Sequence, residues 1–120
     1  MPIFSHVRKH LKRRARLKGL ECAISADDLS RLYFASTACP ICRVVYETGT
    51  NNESARSFDR INSSKGYALG NVAVICRKCN SIKSVYDSDG EAHFRQLHPT
   101  LAPLFLNWIR KQRDLYDVYV

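Results

Sequence analysis

An α+β fold is what this sequence predicts: a small module organised by four cysteines, with a basic helix ahead of it and helices behind it. Three observations carry that expectation. Two C-x-x-C knuckles stand at Cys39-Pro40-Ile41-Cys42 and Cys76-Arg77-Lys78-Cys79. Between them, residues 57–61 alternate outward and inward and residues 72–75 form an apolar run, the pattern of two short strands. On either side, apolar residues recur at helical spacing. A C-x-x-C knuckle repeated downstream is a strong zinc signature. Two residues between thiolates let both sulfurs reach one tetrahedral ion at about 2.3 Å, and the second knuckle closes the shell. A closed thiolate shell leaves no open position, so this ion is structural and any catalytic ion must be a second, different metal.

The elements follow in order. Residues 5–19 read as a helix: Val7, Leu11 and Ala15 repeat at i, i+4, Ser5 can cap it, and Gly19 is a natural stop. Arg8, Lys9, Lys12, Arg13, Arg14, Arg16 and Lys18 crowd this stretch without one acid. A second helix over 26–36 begins at Ser25, with Asp28 placed for a near match to a capping box and Leu29, Leu32 and Tyr33 as its apolar face. The first knuckle follows, then residues 44–46 as a strand, and a turn at Gly49-Thr50-Asn51-Asn52. The strand at 57–61, a loop at 62–66 and the strand at 72–75 deliver Cys76, and a helix runs from near Cys79 to about Val85. This order of knuckle, hairpin and helix is the treble-clef arrangement. Asp87-Ser88-Asp89-Gly90 breaks the chain. Two helices over 91–97 and 100–114 close it, with Leu101, Leu104, Phe105, Trp108 and Ile109 as an apolar face that serves as core or as a dimer surface. The divisions fall at 1–36, 37–88 and 89–120, within one compact domain.

At this point the residues resemble the HNH, or His-Me-finger (ββα-metal), endonuclease family, in its zinc-bearing phage and mobile-element branch. The resemblance covers residues 39–83. It rests on Phe58-Asp59-Arg60-Ile61-Asn62, Lys65-Gly66-Tyr67, Gly70-Asn71-Val72, and Cys76-x-x-Cys79-Asn80-x-x-Lys83. In that family an acid and a histidine end the first strand, a middle asparagine braces the hairpin, and a histidine or asparagine past the second knuckle completes a catalytic metal site. Carried over, the resemblance implies Asp59 as the acid, Asn71 as the brace and Asn80 as the second ligand, with magnesium or manganese as the ion. It also implies a minor-groove docking of the hairpin and helix on double-stranded DNA. Lys65 and Lys83 are expected to be backbone contacts beside the site.

The base position falls on Arg60, and here the sequence departs from the family. Arginine stays protonated and cannot accept a proton, but it can clamp a phosphate with two parallel hydrogen bonds. His93, His98 or Tyr67 could serve as the base, metal-bound water could suffice, or the domain could be retained for binding alone. Each residue also has a plainer role open to it. Asp59 could be an ion-paired strand residue, Asn80 a helix cap, Asn71 a turn residue, and Arg77, Lys78, His6 and His10 solvated surface.

The formal net charge of +8 over 120 residues favours a polyanionic partner. The seven cations of the first helix fit phosphate contact better than a membrane surface, because bulky aromatics are missing from that face. No apolar run approaches a membrane span, and the N-terminus lacks a signal peptide's apolar core. The expected setting is a reducing cytoplasm, that of a bacterial host if the chain is phage-encoded. Cysteines there mean metal before disulfide, and Cys22 reads as a small core residue. The leading expectation is a metal-dependent DNA endonuclease or nickase, as monomer or homodimer. A catalytically inactive DNA-binding repressor or accessory factor stands second. An RNA-binding zinc protein stands third, since no aromatic platform for stacking bases is evident.

Overall fold

In the computed structural model, residues 3–49 and 52–119 are described, with side chains up to residue 114. The fold is α+β: α1 (Phe4–Leu17), α2 (Ala26–Phe34), β1 (Arg56–Arg60), β2 (Val72–Cys76), α3 (Arg77–Asp89), α4 (Glu91–Leu97) and α5 (Ala102–Tyr119). Among the described residues the strands make one antiparallel pair, with Asp59 opposite Ala73 and Arg56 opposite Cys76. No helix among them is long and apolar enough to cross a membrane.

The helix ends follow local chemistry. Ser25 Oγ accepts from the Asp28 amide and Asp28 returns a bond to the Ser25 amide, a complete capping box. Gly19 takes φ 68°, and Leu20 N–H donates to Ala15, ending α1 as expected. The expected Ser5 cap is not used: the flanking residue is Ile3, without a side-chain bond. Residues 44–46 are not a strand. Arg43 has φ 68°, and the Cys39 amide bonds back to Val44, so the chain curls into the knuckle and leaves only a bridge from Ala38 to Val45. In the Gly49–Asn52 turn, Thr50 and Asn51 lie outside the described residues. The second-knuckle helix begins earlier and ends later than expected, with Cys76 as its cap, its sulfur accepting from the Cys79 amide.

Two apolar clusters flank the hairpin. One joins Cys39, Cys76 and Cys79 with Ile75, Phe94, Phe105, Trp108 and Ile109. The C-terminal apolar face therefore packs inward, except Leu104, which is half exposed. The other joins Leu11 and Ala15 of α1, Leu29 of α2, Ile24, Tyr67 and Val72. Cys22 sits at its edge, partly buried. Arg56 lies between the rings of Tyr33 and Tyr46, 4.9 and 4.7 Å from their centroids, and donates to the Ser36 carbonyl. It thereby links α2 to the chain leaving the first knuckle.

The loop after β1 is held by Asn71. Its Oδ1 accepts from the Asn62 amide at 2.9 Å, and its Nδ2 donates to the carbonyls of Asn62 and Gly66. The next contact is backbone on backbone: Tyr67 N–H donates to Glu21 at 2.9 Å, and a Cβ built on Gly66 would lie 2.0 Å from the same carbonyl oxygen. Gly66→Ala must therefore push two backbone segments apart. It is expected to destabilise the fold by about 2 kcal/mol or more in denaturant unfolding, well beyond the usual cost of an exposed substitution.

Candidate metal centre and polar cleft

The end of β2 and the first turn of α3 bring Cys76 and Cys79 against the first knuckle. All four sulfurs lie within 4.8 Å of one another. Tetrahedral thiolate bonds of about 2.3 Å imply sulfur–sulfur edges of about 3.8 Å, and Cys42 and Cys76 stand at 3.7 Å. Backbone amides of Cys76 and Cys79 point at the sulfurs of Cys39 and Cys76. Cys39, Cys76 and Cys79 are buried, while Cys42 lies at the surface. These residues are positioned to hold one metal ion, and the set is compatible with structural zinc.

The thiols are electrostatically unequal. A hydrogen bond from Cys79 holds Cys39 down at about 4 against the effect of burial. Burial pushes Cys76 up to about 11, and Cys79 is raised, chiefly because its thiol donates to Cys39. Several thiolates packed this closely repel unless a cation balances them, which is what a dication supplies. Tyr46 beside them is also raised, first by burial and then by Cys39.

A separate polar cleft of about 340 Å³ opens beside the hairpin. Asp59, Arg60 and Asn80 line it, joined by Arg14 of α1 and by Lys18, the residue that caps its C-terminal end. Asp59 is 6% exposed. Its Oδ1 lies 3.3 Å from Lys83 Nζ, and its Oδ2 is buried with no hydrogen-bond partner among the described residues. Burial pushes the carboxyl up to about 6, opposed by the Lys83 ammonium and reinforced by Asp87. Asn80 Nδ2 donates to Ser57 Oγ and the Phe58 carbonyl, so the amide is oriented by β1. Arg60 donates to the carbonyls of Ser63 and Lys65 at 2.8 and 3.2 Å, and lies 5.2 Å from the Tyr67 ring centroid.

Lys83 is the main correction. Expected as a surface phosphate contact, it is wholly buried. Its ammonium reaches Asp87 Oδ2 and Oδ1 at 2.9 and 3.0 Å and the Arg60 carbonyl at 2.9 Å, besides Asp59. A buried ammonium needs such partners, and it fixes the Asp59 carboxylate in return. Asn71 lies in the loop brace rather than the cleft, Lys65 is exposed, and Arg8 Nε donates to the Ile24 carbonyl. Lys9, Lys12, Arg13 and Arg16 face a different groove. No histidine lines the cleft. His93 pairs with Asp89 and His98 packs on Phe94, so of the alternative bases only Tyr67 is present there.

Asp87, Ser84 and Ser88 also line the cleft, beyond the residues expected from the sequence. The signal was available: Asn80, Ser84, Asp87 and Ser88 share one helical face, and Lys83 and Asp87 are four apart. Comparison of the chain with family models, curated proteins and solved structures returned no match.

Two outcomes follow. Chelation should loosen the packing around Cys39, Ile75 and Phe94, visible as broadened amide resonances that zinc restores, with protons released on zinc uptake because raised thiols must ionise. For Asp59 the folded value lies above the ordinary 3.8, so ionisation is penalised in the fold. That penalty is absent below about 4 and complete above about 6, so the contribution of this group falls as pH rises through that window. Measured against the unaltered protein, Asp59→Asn should therefore gain stability as the pH rises from about 4 through about 6. The gain should shrink as the pH approaches 4, as read by parallel denaturant titrations.

Proposed function

We propose that this protein is a metal-dependent nuclease that hydrolyses phosphodiester bonds in double-stranded DNA, an endonuclease or nickase of the HNH type. The observation that carries the reading is the convergence of Asp59, Arg60 and Asn80 in one cleft with Arg14 and Lys18. In this reading the four cysteines hold zinc, and the knuckle, hairpin and helix form a treble clef whose ββα segment carries the site. The donor set suits a magnesium-class ion: Asp59 Oδ2 lacks a hydrogen-bond partner, and Asn80 keeps its carbonyl oxygen while its amino group is tied to β1. Two protein oxygens suffice for magnesium, which retains several waters. When bound, such an ion supplies Lewis acidity at the phosphate and acidifies a water.

The chain's own residues do the rest. Lys83 holds Asp59 Oδ1 so that the carboxylate keeps one orientation. Arg60, its guanidinium steadied by two carbonyls and the Tyr67 ring, offers its remaining N–H groups to phosphate oxygens. Arg14 and Lys18 neutralise phosphates along the rim. Proton acceptance falls to a carboxylate or the Tyr67 phenol, since no imidazole faces the cleft.

A second reading, DNA binding without catalysis, is favoured by two observations: Lys83 already neutralises Asp59, and Arg60 occupies the place of a base. Supercoiled plasmid separates the two. With zinc-loaded protein, nicking should require added magnesium or manganese, and Asp59→Asn should slow it by about 100-fold or more. If the unaltered protein leaves the plasmid intact in both ions while it and the variant retard it equally, binding alone is the function.

A further inference from the structure

The cations of α1 do not form one patch. At about 100° per residue, Lys9, Lys12, Arg13 and Arg16 lie on one side of the helix, and Arg14 and Lys18 lie about 170° around from them. Leu11 and Ala15, 4% and 1% exposed, lay the helix against the protein body on the side of Arg14 and Lys18. Those two side chains reach into the cleft beside Asp59. The other four stand at i, i+3, i+4 and i+7 and point away from it, along a separate groove of about 540 Å³ floored by Leu20 and Cys22. All four are exposed, α1 contains no acid, and none of the four has an ion-pair or hydrogen-bond partner among the described residues.

We propose that this outer stripe is a second nucleic-acid site, which holds the backbone of a duplex other than the one seated in the cleft. The inference rests on the DNA reading above and adds a second occupant to it. Four like charges in a row repel one another, and the ligand that relieves this is a polyanion with regularly spaced charges, as a duplex backbone offers. A single straight duplex cannot serve both faces. DNA is stiff over tens of base pairs, with a persistence length of about 50 nm, and α1 stands between the two surfaces with its inner side packed on the core. One protein molecule therefore bridges two duplex segments, one held for cutting and one held by charge alone.

The test uses two short duplexes of about 12 base pairs, one carrying a donor dye and one an acceptor, mixed with the full chain in calcium to suppress cutting. Energy transfer should appear, and sedimentation of the same mixture should give one protein with two duplexes. Lys12→Glu with Arg13→Glu and Arg16→Glu should lower the transfer at least tenfold while one duplex stays bound. Arg14→Ala with Lys18→Ala should instead weaken the duplex held in the cleft. A complex of one protein with one duplex, weakened alike by both variants, overturns the second site and leaves the DNA reading standing. Transfer arising from two proteins with two duplexes also overturns it, because pairing of copies then does the bridging. Failure to bind any duplex removes the DNA reading and this inference together.

Discussion

Convergence of the four sulfurs is the constraint on which the rest of the structure depends. Cys39 and Cys42 lie far from Cys76 and Cys79 in sequence, and the chain between them contains the whole hairpin. Because three of the sulfurs are buried in the larger apolar cluster, the knuckles cannot separate without opening it. The end of β2 and the start of α3 are set by the same residues, since Cys76 is both the last strand residue and the helix cap. That fixes where Asn80, Lys83 and Asp87 leave the helix, and so the wall of the cleft. In a chain of this size, a metal held by these sulfurs would add stability that a small core cannot supply alone.

Within the cleft the dominant physics is the burial of charge. Asp59 and Lys83 are buried together, and neither could be so placed alone, while Asp87 meets the Lys83 ammonium from the exposed side. Burial raises the Asp59 carboxyl, the ammonium restrains it, and Oδ2 remains uncompensated. A group held in that balance responds strongly to any further cation, whether proton or metal. Arg60 meets the same need differently, by leaning on carbonyls and a ring at the mouth of the cleft rather than on an acid.

Much of this was legible in the sequence because it rests on spacing. The C-x-x-C pairs, the Ser25–Asp28 cap, the stop at Gly19 and the strands on either side of the 62–71 loop all follow local rules, and the structure has them. What was not legible depends on tertiary geometry. Residues 44–46 have strand-like composition, but closing the knuckle requires φ 68° at Arg43 and consumes their backbone bonds. Lys83 reads as a surface cation until β1 is seen lying across α3, which buries it. Asp87 stands in a stretch whose composition is that of a chain break, yet helix α3 continues through it, and only then does its carboxylate reach Lys83. The charges along α1 are plain in the sequence as a group, but their division between two faces emerges only once Leu11 and Ala15 show which side is covered.

The contact between Gly66 and Glu21 has a consequence for how this chain can vary. It is made by main-chain atoms on both sides, so it places unequal demands on the two positions. Any residue with an ordinary carbonyl can stand at 21, because its side chain is exposed and takes no part. At 66 every side chain is refused. Drift in the sequence can therefore erase one half of this junction from view while the other half stays invariant. A comparison of diverged copies would register an isolated glycine with no visible partner, although it is the point where the hairpin loop meets the segment leading out of α1.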